Sequence, residues 1–425
     1  MKRFIAVLIL IAMSVGLFLA FGPADSNAAS KKQVTITYVR GKDETHATEK
    51  IIQEFMKKNP DIKVIYKENP SDTGQNHDQL VTVLSAGGSD IDVFDMDVIW
   101  PAEFAQAGYT LPLDRFIKRD KINLNDYIKG TIDAARFKGQ MWAFPRFIDA
   151  GLLYYRKDIV PQNELPKTWD DLIKVAKKYK GKNGTKYGFL MQAKQYEGLV
   201  CDAIEYIASY GGKVVDESGN IVVNNKGTID GLNMMRKVIT SGIVPPNVNT
   251  FTEIETHTAF INGLAVFARN WPYMWAMVNS PQSKVKGKVG ILPLPAGSKG
   301  SAAALGGWMV GINKYTKNPE ASWRLLKFLV QREGQKLMAI YNGNIPVYKP
   351  LFNDKDVIKA NPLIGDKKFV EAILAAVPRP VSPIYPKISD VMQIELSNIV
   401  NGKKDVKTAV ADMDKKLKEL VKTQK

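Results

Sequence analysis

Trp142-Ala143-Phe144-Pro145-Arg146-Phe147-Ile148-Asp149-Ala150-Gly151-Leu152-Leu153-Tyr154-Tyr155-Arg156-Lys157-Asp158 sets one acid, Asp149, in an apolar and aromatic run bounded by Pro145 and Gly151. Leu152 to Tyr155 reads as a buried strand, because bulky apolar and aromatic side chains fit a pleated, covered surface. A carboxylate just before such a strand would be fixed by a rigid element beside whatever cavity lies there. The plainer reading is an acid that caps a turn. The stretch also falls where the chain is expected to cross between two lobes, and the remaining segments are placed around that crossing.

Upstream of it, Val34-Thr35-Ile36-Thr37-Tyr38 alternates as a strand. The loop Gly41-Lys42-Asp43-Glu44 leads into a helix over Thr45 to Lys58, which Asn59-Pro60-Asp61 stops. Ile62 to Tyr66 is a second strand, Asn76 to Ala86 a second helix ended by Gly87-Gly88, and Ile91 to Met96 a third strand. This β-α-β-α-β order predicts a mostly parallel sheet covered by helices. In such sheets ligands bind beyond the carboxyl ends of the strands. Glu44, Ser71, Asp72, Thr73 and Asp97 all fall there or at helix starts.

Downstream, Thr168-Trp169-Asp170-Asp171 is a capping box opening a helix to Tyr179. Tyr187 to Met191 reads as a strand, Gln195 to Ser209 as a helix, Glu253 to Asn262 as a helix and Ala265 to Asn270 as a strand. Trp271-Pro272-Tyr273-Met274-Trp275 is predicted to start a helix with proline in its first turn. Gly306 to Ile312 is a strand entered through paired glycines, and Pro319 to Gln331 and Gly334 to Tyr341 are helices. Val377-Pro378-Arg379-Pro380 is a rigid turn, followed by helices over Tyr385 to Asn401 and Val406 to Lys422.

The 425 residues are enough for two or three domains of roughly 100–200 residues each. A hydrophobic content of 45% and a charged content of 24% are those of an ordinary soluble globular chain. At the N-terminus, basic Met1-Lys2-Arg3, the apolar run Phe4 to Phe21 and the small residues Ser26-Asn27-Ala28-Ala29 spell a secretory signal peptide over residues 1–28. Cleavage is expected after Ala28 or Ala29. The apolar run is long enough to serve instead as an uncleaved anchor, and no other stretch could span a bilayer. The segment has no cysteine to carry a lipid anchor, so the protein is expected in the periplasm or at the outer face of the cell membrane. Cys201 is the one cysteine, which rules out an internal disulfide and leaves a buried, inert thiol.

Net charge is +16, and removal of Lys2, Arg3 and Asp25 with the leader leaves +15. The lysines are spread along the chain, as on a solvated surface. With export and no basic run interleaved with aromatics, nucleic acid is not an expected partner.

Three aromatic groups stand at loop or strand boundaries: Trp100 with Pro101, Trp271-Pro272-Tyr273, and Gly307-Trp308. Flat aromatic faces suit the C–H faces of a sugar ring, and they also attract cations. Near them in the pattern are Glu44, Asp97, Asp149 and Arg379. Carboxylates accept from vicinal hydroxyls, and an arginine fork donates two bonds in parallel. Together these suit a neutral polyhydroxylated ligand. The same acids and aromatics would also read a charged solute such as a polyamine. His46, His77 and His257 have no zinc-type spacing, and no metal or other cofactor is expected. Asp95, Asp97 and Asp149 leave open a glycosidase pair, which needs two carboxylates flanking a scissile bond.

Six stretches carry a resemblance to a known family. They are Asp95-Met96-Asp97-Val98-Ile99-Trp100, Ile148 to Asp158, Gln195-Tyr196-Glu197-Gly198-Leu199-Val200-Cys201-Asp202, Asn270-Trp271-Pro272-Tyr273, Leu305-Gly306-Gly307-Trp308 and Val377-Pro378-Arg379-Pro380. In this order, across nearly the whole mature chain, the sequence resembles the extracellular sugar-binding proteins of ATP-driven importers, the maltose-binding-protein class. Within it, the chain is most similar to trehalose/maltose-binding proteins. The resemblance implies an α/β protein of two lobes, with a multi-crossing hinge and a disaccharide or small oligosaccharide, α-glucosidic in type, held between them. It implies a non-catalytic monomer that docks on a membrane permease. Glu44, Asp97, Asp149, Trp271, Tyr273, Gly307, Trp308 and Arg379 should line the cleft, with Ser71, Asp72, Asn76 and Phe147 beside them. The family pattern has Thr at Ser71, Arg at Asn76 and Tyr at Phe147, so different hydroxyls should be read here. The N-lobe is expected over residues 29–150 with a return at 309–351, and the C-lobe over 151–308, completed by 352–425.

Overall fold

A computed structural model describes residues 33–423 apart from Glu217 and Val381. The leader and its cleavage site lie outside the described residues. Twelve strands are found among them: β1 (Val34–Gly41), β2 (Ile62–Asn69), β3 (Val93–Asp97), β4 (Arg136–Phe137), β5 (Gln140–Met141), β6 (Phe144–Ala150), β7 (Leu152–Arg156), β8 (Tyr187–Leu190), β9 (Ala265–Asn270), β10 (Val289–Leu292), β11 (Leu305–Ile312) and β12 (Ile345–Pro346). They build a six-stranded sheet in the order β12-β6-β11-β3-β1-β2, a four-stranded sheet in the order β10-β7-β9-β8, and the small β4-β5 hairpin. Each large sheet is covered by helices, giving a two-lobed α/β fold.

The chain changes sheets at Gly151. β6 ends at Ala150 in the first sheet and β7 starts at Leu152 in the second. A β-carbon at Gly151 would stand 1.9 Å from Oε1 of Glu205 and 2.9 Å from Arg269. Only glycine lets the crossing pass that close to a buried ion pair. The acid next to it is not in a turn: Asp149 lies in β6, opposite Gly306 of β11.

Two of the five pairings in the first sheet are parallel, where the sequence predicts a mostly parallel sheet. β1 runs parallel to β2, from Val34↔Ile62 to Gly41↔Asn69, and parallel to β3. β11 is antiparallel to both β3 and β6, and β12 is antiparallel to β6. β3 and β6 run toward the second sheet. β11 arrives from it, so β11 must run the other way.

The first core gathers Ile36, Tyr38, Phe94, Phe144 and Trp323, and the second gathers Leu153, Phe267, Leu199, Leu232 and Leu396. The return to the second core comes later than residue 352. Phe369 and Ile373, one turn apart on the Lys367–Leu374 helix, are buried in the first core. Leu351, Val357 and Ile364 form a small cluster with Ala339. Only from Tyr385 do the Tyr385–Val400 and Val406–Lys422 helices bury Ile388, Met392 and Met413 in the second core.

The Thr168 capping box with Asp171 is present, and a second one joins Thr252 to Glu255. Pro272 precedes its helix instead of lying in its first turn, since the helix runs over Met274–Val278. The Lys226–Thr240 helix has no counterpart in the sequence reading. Gly227 and Gly231 weaken its helical pattern. They are there for contact, because a β-carbon at Gly231 would lie 2.5 Å from the Tyr206 carbonyl and one at Gly227 2.4 Å from the Gly212 nitrogen.

Candidate functional site

The carboxyl ends of β1, β2, β3 and β6 and the start of β11 all face the second sheet. Opposite them stand the end of β9 and the first turns of the Glu197–Ser209 and Glu253–Ile261 helices. The space between is a cleft with an internal volume of about 160 Å³. That is roughly ten times what one water needs, so the cleft has room for an organic ligand.

Ten of the expected residues meet there: Glu44, Ser71, Asp97, Phe147, Asp149, Trp271, Tyr273, Gly307, Trp308 and Arg379, with Thr73 beside them. Two do not. Asp72 caps the Thr73–Ser85 helix by accepting from the nitrogens of Gly74 and Gln75, and its other oxygen meets Lys194 Nζ at 3.2 Å on the rim. Asn76 is buried behind Gly41 and accepts from Asn69 at 2.8 Å. Trp100 is no platform either. It is 2% exposed and meets Trp308 edge-on, with ring centroids 5.6 Å apart.

Glu197, Glu253, His257, Asn342 and Asn344 also line the cleft, although the sequence reading names none of them as contacts. Glu197 lies within one of the six family stretches, and Glu253 opens a helix. His257 is read from sequence only against zinc spacing. Neither asparagine carries a local signal, because both arrive on the long return ahead of β12.

The aromatic faces are held from behind. The Arg269 guanidinium lies 3.9 Å from the Trp271 ring centroid, and the Trp271 indole Nε1 donates to Glu253 at 3.0 Å. Gly306 lets the ring approach: a β-carbon there would sit 3.0 Å from it. Gly307 has φ +129°, and a β-carbon would stand 2.4 Å from the Phe147 carbonyl. This fits the irregular register between Trp308 and Met309, which turns Trp308 toward the cleft. Tyr273 is set by His257, whose Nδ1 lies 2.8 Å from its hydroxyl. Burial pushes the His257 imidazole down to about 4, so at neutral pH it is an uncharged partner.

The acids are unequal. Asp97 is bound by Arg379, 2.6 Å from Oδ1, and accepts from the Ile99 nitrogen at 3.2 Å. Arg379 is therefore not a free fork awaiting a ligand. Glu44 has Lys42 Nζ at 3.1 Å. Asp149 is only 6% exposed, and its Oδ1 is buried with no hydrogen-bond partner. Burial, helped by the Asp97 charge, pushes its carboxyl up to about 7 against the pull of the Asn344 amide and Arg269. A solvent-exposed aspartate would be ionised at neutral pH. Asp149 is instead a buried acid near its midpoint at neutral pH, because β11 and the β6–β7 crossing cover it. Burial likewise pushes up the Cys201 thiol. Among the described residues no cluster could hold a metal ion, and no helix is long and apolar enough to cross a membrane.

A two-lobed α/β protein with a cleft of aromatic faces, acids and amides belongs to the class of solute receptors. Residues 41–336 match the family described as bacterial extracellular solute-binding protein. The chain is 35% identical over 332 residues to a probable ABC transporter-binding protein of Deinococcus radiodurans, covering 75% of this chain and 77% of that one. It is 27% identical over 360 residues to the maltotriose-binding protein of Pyrococcus abyssi, covering 83% and 74%. Its fold superposes on maltose-bound T. maritima MalE3 with a TM-score of 0.86 at 38% identity, covering 91% of this chain and all of that one. The chain belongs to the bacterial extracellular solute-binding protein family. Members of this family are binding proteins of importers and not enzymes, which removes the glycosidase reading.

Proposed function

We propose that this protein captures a neutral di- or small oligosaccharide of the maltose or trehalose type and presents it to the membrane permease of an ATP-driven importer. The observation that carries the reading is the pairing of two part-exposed indole faces, Trp271 and Trp308, with the unpartnered Asp149 oxygen and the Asn344 amide in one cleft. Indole faces cover the apolar side of a pyranose, while carboxylate and amide take its hydroxyls. Support comes from the maltose-bound T. maritima MalE3 and the maltotriose-binding protein of P. abyssi. The ligand contacts on this reading are Glu44, Ser71, Asp97, Phe147, Asp149, Trp271, Tyr273, Gly307, Trp308 and Arg379.

On this proposal the lobes divide at Gly151, at the entry to β11, and in residues 375–384, and they close as rigid bodies around those crossings. The protein acts as an exported monomer, freed from its leader or held by it at the outer face of the membrane. Titration calorimetry with maltose, trehalose, sucrose and spermidine tests the ligand class. Heat with a disaccharide is the expected result. Heat with spermidine alone would replace the sugar by a polyamine.

A further inference from the structure

Arg379 lies just past a backbone tie at the hinge. Two residues before it, the Val377 nitrogen donates to the Ala303 carbonyl at 2.8 Å, and the Val377 carbonyl accepts from Leu305 at 2.7 Å, where the chain enters β11. The guanidinium is buried and reaches an acid on each side. Nη2 donates to Oδ1 of Asp97 at 2.6 Å, and Nη1 donates to Oε1 of Glu197 at 2.9 Å. Asp97 ends β3 of the six-stranded sheet, and Glu197 opens a helix packed on the four-stranded sheet. Glu197 is held in turn by the Tyr385 hydroxyl at 2.7 Å and by the Ser389 hydroxyl, both on the Tyr385–Val400 helix.

We propose that Asp97, Arg379 and Glu197 form an interlobe clamp carried by the hinge, which keeps a fraction of the ligand-free protein closed, and that Glu197 is the positioning residue that aims the guanidinium at Asp97. This rests on the reading that the lobes close around a ligand. The clamp has a fixed half and a releasable half. Glu197 opens a helix that buries Leu199 and Val200 in the second core, and Ser389 lies on a helix that buries Ile388 and Met392 there, while the Tyr385 ring at the start of that helix is buried with the first core. The Glu197–Ser389 contact therefore keeps Glu197 and the guanidinium it holds with the second lobe when the lobes part. The Asp97–Arg379 bond breaks, because Asp97 moves away with β3. Breaking it leaves the Asp97 carboxylate without its guanidinium, and the guanidinium with Glu197 alone, until water reaches them. Nε of Arg379 is buried without a partner, so the clamp still has one donor for a ligand acceptor. A clamp of this kind raises affinity by maintaining the competent state, since the apparent dissociation constant scales inversely with the closed fraction.

The test is small-angle X-ray scattering of the ligand-free protein, wild type against Glu197→Gln. Wild type is expected to be more compact than the variant. If the closed fraction falls from about a half to a sixth, affinity for maltose falls about threefold in calorimetry, and saturating maltose brings both proteins to the same radius of gyration. Identical ligand-free scattering from two folded proteins would overturn the clamp. If circular dichroism shows Glu197→Gln unfolded, the Tyr385→Phe, Ser389→Ala double variant loosens Glu197 without removing it. It should open the protein in the same direction, and unchanged scattering there overturns the clamp equally. The ligand-free comparison needs no sugar, so failure of the sugar reading would show separately, as absent heat in calorimetry.

Discussion

At the scale of single residues, Asp149 is the most informative. Its folded-state value near 7 stands well above the roughly 3.9 of an unfolded aspartate. The folded state therefore binds this proton more tightly. The stability linked to it is fully present below about pH 4 and is lost as pH rises through 7. Asp149→Asn removes the titration. Ligand-free melting curves should show the variant gaining on wild type between pH 5 and pH 8, and a constant gap would refute the burial argument. Affinity should move the other way. Hydrogen bonds to a charged acceptor contribute about 1.5–3 kcal/mol, so the variant should bind sugar roughly tenfold more weakly or worse at pH 8. Trp271 makes a separate case. Trp271→Ala should cost about 2 kcal/mol of binding and abolish part of a ligand-induced shift in tryptophan emission. Unchanged affinity in the folded variant would assign that ring to packing over Arg269.

At the scale of elements, two local devices predict opposite outcomes. The capping box at Thr168 starts the Trp169–Tyr179 helix, away from the cleft residues. Thr168→Ala should lower stability by about 1 kcal/mol in denaturant titration and leave sugar affinity alone. The β6–β11 pairing is different. Gly307→Ala forces a β-carbon toward the Phe147 carbonyl in a backbone conformation that side chains rarely adopt. It should lower both melting temperature and affinity, because the same irregular pairing carries Phe147, Trp308 and Asp149. A Gly307→Ala protein with unchanged binding would show that the strand can relax without moving the cleft. Helices and strands of this kind are largely legible locally. Val406 to Lys422 has the same bounds in sequence and structure, because its apolar spacing and its Asp405 cap agree. The Lys226–Thr240 helix is not legible, since its glycines answer to a neighbouring helix.

At the scale of the whole molecule, the first sheet passes directly into the second across Gly151, one of the crossings on which the lobes would turn. Relative motion of the lobes should appear in solution. Saturating maltose should reduce the radius of gyration of the wild-type protein, and an unchanged value with measurable binding heat would mean that ligand enters without closure. Charge acts differently at this scale. Lys194 and Asp72 bridge the rim where water reaches both, whereas Arg379 and its two acids are buried at the base. Exposed pairs contribute little and are screened by salt, so moderate salt should leave affinity nearly unchanged.

Most of the cleft residues are indicated by the family resemblance that six stretches of the sequence carry. The order of elements along this chain, the α/β class and the crossing near Asp149 are determined by the sequence alone. They depend on periodicity, caps and turn residues, which act within a few positions of one another. The tertiary structure decided what depends on distant partners. It set the antiparallel pairings of the first sheet and placed Phe369 and Ile373 in the first core. It buried Asn76 behind Gly41 and closed Arg379 onto Asp97 and Glu197. It also raised the Asp149 carboxyl, because desolvation is a property of everything packed around a charge and of no residue by itself.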